Sequence, residues 1–213
     1  SGSRSRLFAA SGTAVLETPE AQLLADTRGF GPGGAGHSHS GALNLLVRTG
    51  AEELLIDSGT YTYVASPEWR NRFRGAAAHN TVRIDGADQA EPARVFRWEA
   101  LPQTRVRQWS TSEERDDLDA ECRYRGFCHR RRVCFLKQAG LVLVLDEIDG
   151  PAGRHRVEQF WHPGVEVTPE GLEPTLGEDP SGERRGCRRG VHVEPRDSLE
   201  RDAVPRGDGL VRR

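Results

Sequence analysis

Leu118-Asp119-Ala120-Glu121-Cys122-Arg123-Tyr124 alternates apolar and polar side chains without a break. Successive side chains of a strand point to opposite faces, so this period of two reads as a strand with one face buried. Working outward, residues 133–136 and 141–146 are more apolar, as strands covered on both faces are. Residues 95–99 and 105–109 continue the pattern upstream, separated by Leu101-Pro102. Residues 81–85 alternate and then meet Gly86. Residues 43–47 and 53–57 are short apolar runs split by Arg48-Thr49-Gly50-Ala51, a hairpin-like break. Residues 156–161 and 165–167 add two further strand candidates. No segment holds a helical period over a helix-length window, and residues 21–25 and 67–73 are the short helical candidates. Many short strands at regular turn spacing predict an all-β, antiparallel, multi-stranded β-sandwich.

The 213 residues are 36% hydrophobic, enough for one packed core but lean for two. A net charge of -2 gives no global basic field, which argues against a nucleic-acid partner. No run approaches the roughly 18 apolar residues of a membrane-spanning helix. Ser1-Gly2-Ser3-Arg4-Ser5-Arg6 lacks the apolar centre of a signal peptide, and the chain contains no methionine. The expectation is a piece of a longer polypeptide: residues 1–6 a remnant or linker, residues 7–170 the β domain, and residues 171–213 an Arg-, Gly- and Pro-rich tail with little to bury. Arginines 184, 185, 188 and 189 make that tail basic. Lys137 is the single lysine, so arginine carries nearly all positive charge. Val191-His192-Val193 is the tail's one strand-like stretch. A hairpin turning near Cys128 would set Cys122 against Cys134, so the two either pair or serve as small buried hydrophobes.

The chemistry concentrates between residues 36 and 80. Gly36-His37-Ser38-His39 holds two histidines one residue apart, which a strand would project to one face. Asp57 ends an apolar run, and His79 opens the strand that begins at Thr81. Two imidazoles and a carboxylate with an open position suit Zn²⁺, and the same donors accept Mn²⁺ or Fe²⁺. The alternative is surface histidines and a turn aspartate. Three ligands leave one histidine free for proton transfer, since an imidazole titrates near neutrality. Tyr61 and Tyr63 offer a phenolic proton or pack their rings on the sheet. Arg70, Arg72 and Arg74 cluster ahead of His79. Their guanidinium forks suit carboxylate or sulfate, or form a solvated basic turn. Asn80 either bonds a carboxyl oxygen or caps a turn.

The run GHSHSGALNLLVRTGAEELLIDSGTYTY, followed by Arg70-Asn71-Arg72-Phe73-Arg74 and then by AHNTVRIDG with Gln89 beyond, resembles the C-terminal β-sandwich of the heparinase II/III family. The stretch from His129 through LVLVLDEIDG to Gln159-Phe160-Trp161-His162 resembles the central strands of the same domain. The resemblance spans residues 8–167. It implies a polysaccharide lyase of α/α toroid plus β-sandwich, acting on uronate-containing chains such as heparan sulfate and alginate. The implied partners are an acidic polysaccharide and the toroid domain, and the implied location is periplasmic or secreted. By motif, the resemblance assigns His37 to the cleft and His39, Asp57 and His79 to zinc, and it sets Tyr63 and the arginines on loops that face the cleft; Tyr63, Arg72, Arg74 and Asn80 are the substrate-binding candidates. The chain departs from the family at Ser40, where an aspartate is common. Two other readings stay open: a non-catalytic glycan-binding or structural zinc module, and a cupin-like metal enzyme. The cupin pattern asks for a glutamate where this chain has Leu43.

Overall fold

The structure, a computed structural model, describes residues 4–31 and 35–165. Thirteen strands run in chain order: β1 Arg6–Phe8, β2 Thr13–Glu17, β3 Ala21–Asp26, β4 Leu45–Thr49, β5 Glu52–Leu55, β6 Val82–Ile84, β7 Glu91–Arg94, β8 Arg97–Glu99, β9 Gln103–Thr111, β10 Arg115–Tyr124, β11 Phe127–Leu136, β12 Leu141–Asp149 and β13 Val157–Gln159. One helix, α1 Pro67–Arg74, and a short 3₁₀ turn at Ala76–Ala78 sit between β5 and β6. Strands β1 to β5 form a five-stranded antiparallel meander. Strands β12-β11-β10-β9 form a four-stranded antiparallel sheet. Two ribbons, β13-β6 and β7-β8, complete the described strands.

The alternation read in the sequence is what joins the sheets. Ala14, Leu16, Leu23, Ala25, Leu45 and Val47 from the meander share one core with Leu118, Ala120, Cys122, Tyr124, Val133 and Phe135 from the four-stranded sheet. Each fully buried Leu or Phe contributes about 1.5–3 kcal/mol of transfer free energy, and two inner faces meeting this way make the sandwich.

Residues 21–25 are a strand, not a helix. Ala-Gln-Leu-Leu-Ala has good helix formers, but β3 lies between β2 and β4, hydrogen-bonded on both sides, with Leu23 and Ala25 buried. Tertiary pairing overrides the local preference. Strands β1, β2 and β7 were not legible as strands.

The β10–β11 hairpin turns at Arg125-Gly126, both at positive φ (49° and 82°), as a two-residue hairpin loop requires. That register sets Cys122 opposite His129 and Cys134 opposite Asp117. Cys122 and Cys134 therefore do not face each other, and both thiols are free. The strand expected at residues 165–167 is not found at Val165, an exposed bend; its other residues, Val191-His192-Val193 and the basic tail lie outside the described residues. Arg6, assigned to a remnant, begins β1, and the Ser5 hydroxyl bonds the Asp116 carboxylate.

Candidate functional site

Three connecting segments meet at one end of the meander: residues 36–43 before β4, residues 56–66 after β5, and residues 75–81 after α1. Asn80, fully buried, ties them together. Its amide N–H donates to Asn44 Oδ1 (2.9 Å), and its Nδ2 donates to the carbonyls of Leu45 and Ile56 (2.9 Å each). Its Oδ1 accepts the His162 amide (2.6 Å). Gln89 fastens the first segment by accepting the Ala42 amide at 2.8 Å and donating to Thr81 Oγ1 at 3.1 Å. Leu43 is held at a positive φ of 63°, a backbone state uncommon for a branched apolar side chain. Arg131, reaching from β11, donates Nη1 to the Leu43 carbonyl (2.8 Å) and the Asn80 carbonyl (2.6 Å).

Inside this frame lies a cluster of imidazoles and a carboxylate. His79 Nδ1 donates to Asp57 Oδ2 at 2.6 Å. Asp57 also accepts from Asn44 Nδ2 and from the Gly59 amide, each at 2.8 Å. His39 stacks on His79 with ring centroids 4.1 Å apart. Gly41 permits the stack: a Cβ there would lie 2.5 Å from His39 Nδ1 and 2.9 Å from His79 Cγ. Burial, reinforced by His79, holds His39 down at about 4, so its ring is neutral near pH 7. Burial opposes the Asp57 charge, but the hydrogen bond and charge of His79 outweigh it and keep the carboxyl below its ordinary value. His162 is likewise lowered, by burial and then by His79.

His37 and His39 do not share a face. The segment is a turn rather than a strand, so His39 goes inward while His37 is exposed against the rings of Tyr63 (5.8 Å, edge-on) and Phe96 (6.1 Å). Tyr63 stacks on Phe96 at 5.6 Å and is 47% exposed. Helix α1 holds this surface from below. The Ser66 side chain caps its first turn and Pro67 sits at its start, as such a short helix needs. Arg70 is buried, lies 4.7 Å over the Tyr63 ring, and donates to the Gly36 carbonyl (3.2 Å). Arg72 is exposed and lies over Trp69.

Arg74 and Asn80 do not reach a substrate surface, contrary to the sequence expectation. Arg74 is 1% exposed, stacks on Trp98 at 4.5 Å, and donates to Asn71 Oδ1 and the carbonyls of Arg94 and Val95. Both side chains are spent on the fold. Ser40 is also fully buried, its amide on the Arg74 carbonyl and its hydroxyl taking the Ala90 amide. The sequence did not mark Phe96 as part of the exposed face or His162 as part of the buried cluster, and Arg70, grouped there with Arg72 and Arg74, is buried beneath Tyr63. A histidine next to a proline at a strand end carries no local signal of its neighbours.

The buried donors fit a divalent cation in chemistry. Neutral imidazole, an ionised carboxylate, and the partnerless buried atoms His39 Nδ1 and His79 Nε2 form such a set. Among the described residues, no three of these donors already stand as ligands round one point.

Two antiparallel sheets round one core, with a buried imidazole–carboxylate cluster beneath an exposed histidine–aromatic face, define a β-sandwich domain with a polar site at one end. The chain belongs to the heparinase II/III-like, C-terminal family, whose profile matches residues 1–202. Among solved structures it is similar to a heparinase III, with 25% identity and a TM-score of 0.59, over 72% of this chain and 23% of that one. It is also similar in fold to the heparan sulfate lyase HepC from Pedobacter heparinus, with 18% identity and a TM-score of 0.57, over 70% of this chain and 22% of that one. The chain thus spans about a quarter of the length of these relatives. No curated protein matches it. No helix among the described residues is long and apolar enough to cross a membrane.

Proposed function

We propose that this domain forms one wall of the cleft of a polysaccharide lyase that cleaves uronate-containing glycans by β-elimination. The observation that carries the reading is the exposed His37, set against the stacked rings of Tyr63 and Phe96 in a domain of the heparinase II/III-like family. In the reaction the C5–H bond of the uronate breaks, a C4–C5 double bond forms, and the C4–O4 bond breaks as O4 takes up a proton. Negative charge builds on the C5 carboxyl group and must be met by fixed donors. His37 is the acid–base group on this wall, since an exposed imidazole can both take up and give a proton at its ring nitrogens. Tyr63 and the exposed Arg72 bind the anionic sugar, the guanidinium meeting carboxylate or sulfate in a bidentate way. An α/α toroid supplies the opposite wall. A periplasmic or secreted location follows from a polymeric substrate outside the cell.

His39, Asp57 and His79 hold Zn²⁺ in this reading, with Mn²⁺ or Fe²⁺ as chemically admissible substitutes. When bound, the ion joins the ends of the segments beneath the cleft and adds a fixed positive charge there. The chain's own hydrogen bonds position the same segments, and Arg70 sets the His37 turn through the Gly36 carbonyl.

The test is His37→Ala in the polypeptide that joins this domain to its toroid. Removing an acid–base group lowers kcat by about 100-fold or more, while thermal stability stays unchanged because the side chain is exposed. Unchanged kcat would transfer the domain to the class of non-catalytic glycan-binding modules.

A further inference from the structure

The β7–β8 ribbon follows the motifs between residues 36 and 80, yet its tip forms one side of the exposed face. Val95 and Phe96 make the turn. Phe96 is 48% exposed, stacks on Tyr63, and lies with its ring centroid 6.1 Å from that of His37. The tip is fastened to the His37 segment. Trp98 is buried, and its Nε1 donates to the Ser38 carbonyl at 3.1 Å. Gly36 lets the two backbones meet, because a Cβ there would lie 2.8 Å from the Phe96 carbonyl oxygen. The buried Arg74 donates to the carbonyls of Arg94 and Val95 and stacks on Trp98. These contacts set the tip before any ligand arrives, which lowers the ordering cost of binding.

Arg94 and Arg97 flank the turn, and both are exposed. The register sets them directly opposite each other, so their side chains leave one face of the ribbon. Like charges so placed repel. The other like-charged rung, Glu91 opposite Glu99, is relieved because Arg125 pairs with Glu91. The arginine rung has no such relief. Arg97 approaches Glu99 only at 3.9 Å, with side chains 62% and 59% exposed, and a pair of that kind is worth little. Among the described residues, no carboxylate pairs with Arg94. Two uncompensated guanidinium groups on a fixed tip beside His37 and Tyr63 are arranged to receive an anion.

We propose that Arg94 and Arg97 are specificity-determining residues that clamp an anionic substituent of the glycan, a carboxylate or a sulfate ester, while Phe96 lies against the ring that bears it. The inference rests on the reading of the His37 face as a lyase wall. Each arginine stands within two residues of Phe96, which itself touches His37, so the clamp serves a sugar next to the uronate that loses its proton. Guanidinium forks meet either anion through paired N–H···O bonds, which an ammonium does not reproduce.

The experiment uses the polypeptide that joins this domain to its toroid. It measures the Kd of a heparan sulfate oligosaccharide and of the same oligosaccharide after chemical desulfation, with kcat and KM followed by absorbance of the unsaturated product. Arg94→Gln combined with Arg97→Gln is expected to raise Kd about tenfold or more, the value of a charged hydrogen bond. The kinetic loss is expected to fall on KM rather than on kcat, as removal of binding common to substrate and transition state requires. A rise confined to the sulfated ligand identifies the anion as a sulfate ester, and a rise with both identifies a carboxylate. Arg94→Lys combined with Arg97→Lys is expected to recover part of the affinity, since the charges remain and the forks do not. Arg48→Gln, at an exposed arginine of β4, is expected to bind as wild type. A Kd for the glutamine pair within about twofold of wild type, well short of one charged hydrogen bond, overturns the clamp, as does an equal loss from Arg48→Gln. Failure of the lyase reading shows separately: unchanged kcat in His37→Ala with weakened binding by the glutamine pair leaves the clamp standing on a glycan-binding module. A wild-type polypeptide that binds neither oligosaccharide overturns both.

Discussion

Gly41 shows how much of the site one residue decides. The His39 and His79 rings stack where any side chain at position 41 would lie. Gly41→Ala is expected to push one ring out of the stack and cost about 1–3 kcal/mol, the usual range for forced overpacking. Urea denaturation of the metal-free chain measures it, and a change within a few tenths of a kcal/mol would show that the stack yields freely. Asn80 acts in the opposite sense, spending every polar atom of its side chain on the Leu45 and Ile56 carbonyls and the His162 amide. The sequence presented it as a candidate donor to substrate. A free side-chain amide and a fully bonded one look identical until the neighbours are known.

Among the elements, β11 links the four-stranded sheet to the site. Arg131 is paired with Asp146 through Nε and Nη2, while its Nη1 serves the Leu43 and Asn80 carbonyls. His129 donates to the same carboxylate, and Gln159 reaches it from β13. Arg131→Leu leaves Asp146 buried beside two unbonded carbonyls, and removal of one partner from a buried pair costs about 3–5 kcal/mol. Equilibrium denaturation should register that loss, and less than about 1 kcal/mol would mean that the strut is replaceable. On β10, Glu121 is buried against Arg107, Arg123 and Arg105. The hydrogen bond from Arg107, helped by Arg123 and Arg105, holds its carboxyl down to about 2 from an ordinary 4.5. A carboxyl with a depressed folded value stabilises the fold above its unfolded value and loses that contribution as pH falls. The wild type should therefore lose stability between pH about 4.5 and about 2 more steeply than Glu121→Gln does. Parallel slopes for the two in denaturation series across that window would remove Glu121 from the account.

For the whole molecule, the decisive fact is extent. The chain covers 23% of the heparinase III it resembles, and its described residues present the exposed His37 with Tyr63 and Phe96 at one end of a sandwich. β-Elimination needs donors on both sides of the uronate, one set for the C5 proton and carboxyl group and another for O4. The chain alone is expected to release no unsaturated product from heparan sulfate or alginate, followed by ultraviolet absorbance. Steady turnover by the 213-residue chain would show that the complete machinery lies within it.

The sequence by itself determined the all-β class, because period-two alternation in β10 and the apolar runs of β4 and β11 mark strands with a buried face; β12, expected to be covered on both faces, instead leaves Leu141, Leu143 and Leu145 exposed. It also marked His37, His39, Asp57 and His79 as the residues to follow, and Asp85-Gly86 as a turn. Tertiary structure alone decided that Ala21–Asp26 is a strand, that His37 and His39 part company, and that Cys122 faces His129. It alone brought His162 to the cluster and turned Arg74 and Asn80 inward. The physical reason is common to all of these. Alternation records contact with a core, which any apolar partner satisfies, so it survives in local sequence. The meeting of loop ends depends on register, on a positive φ at Leu43, and on hydrogen bonds between residues far apart along the chain, such as Arg131 to Leu43, 88 positions, and His162 to Asn80, 82 positions.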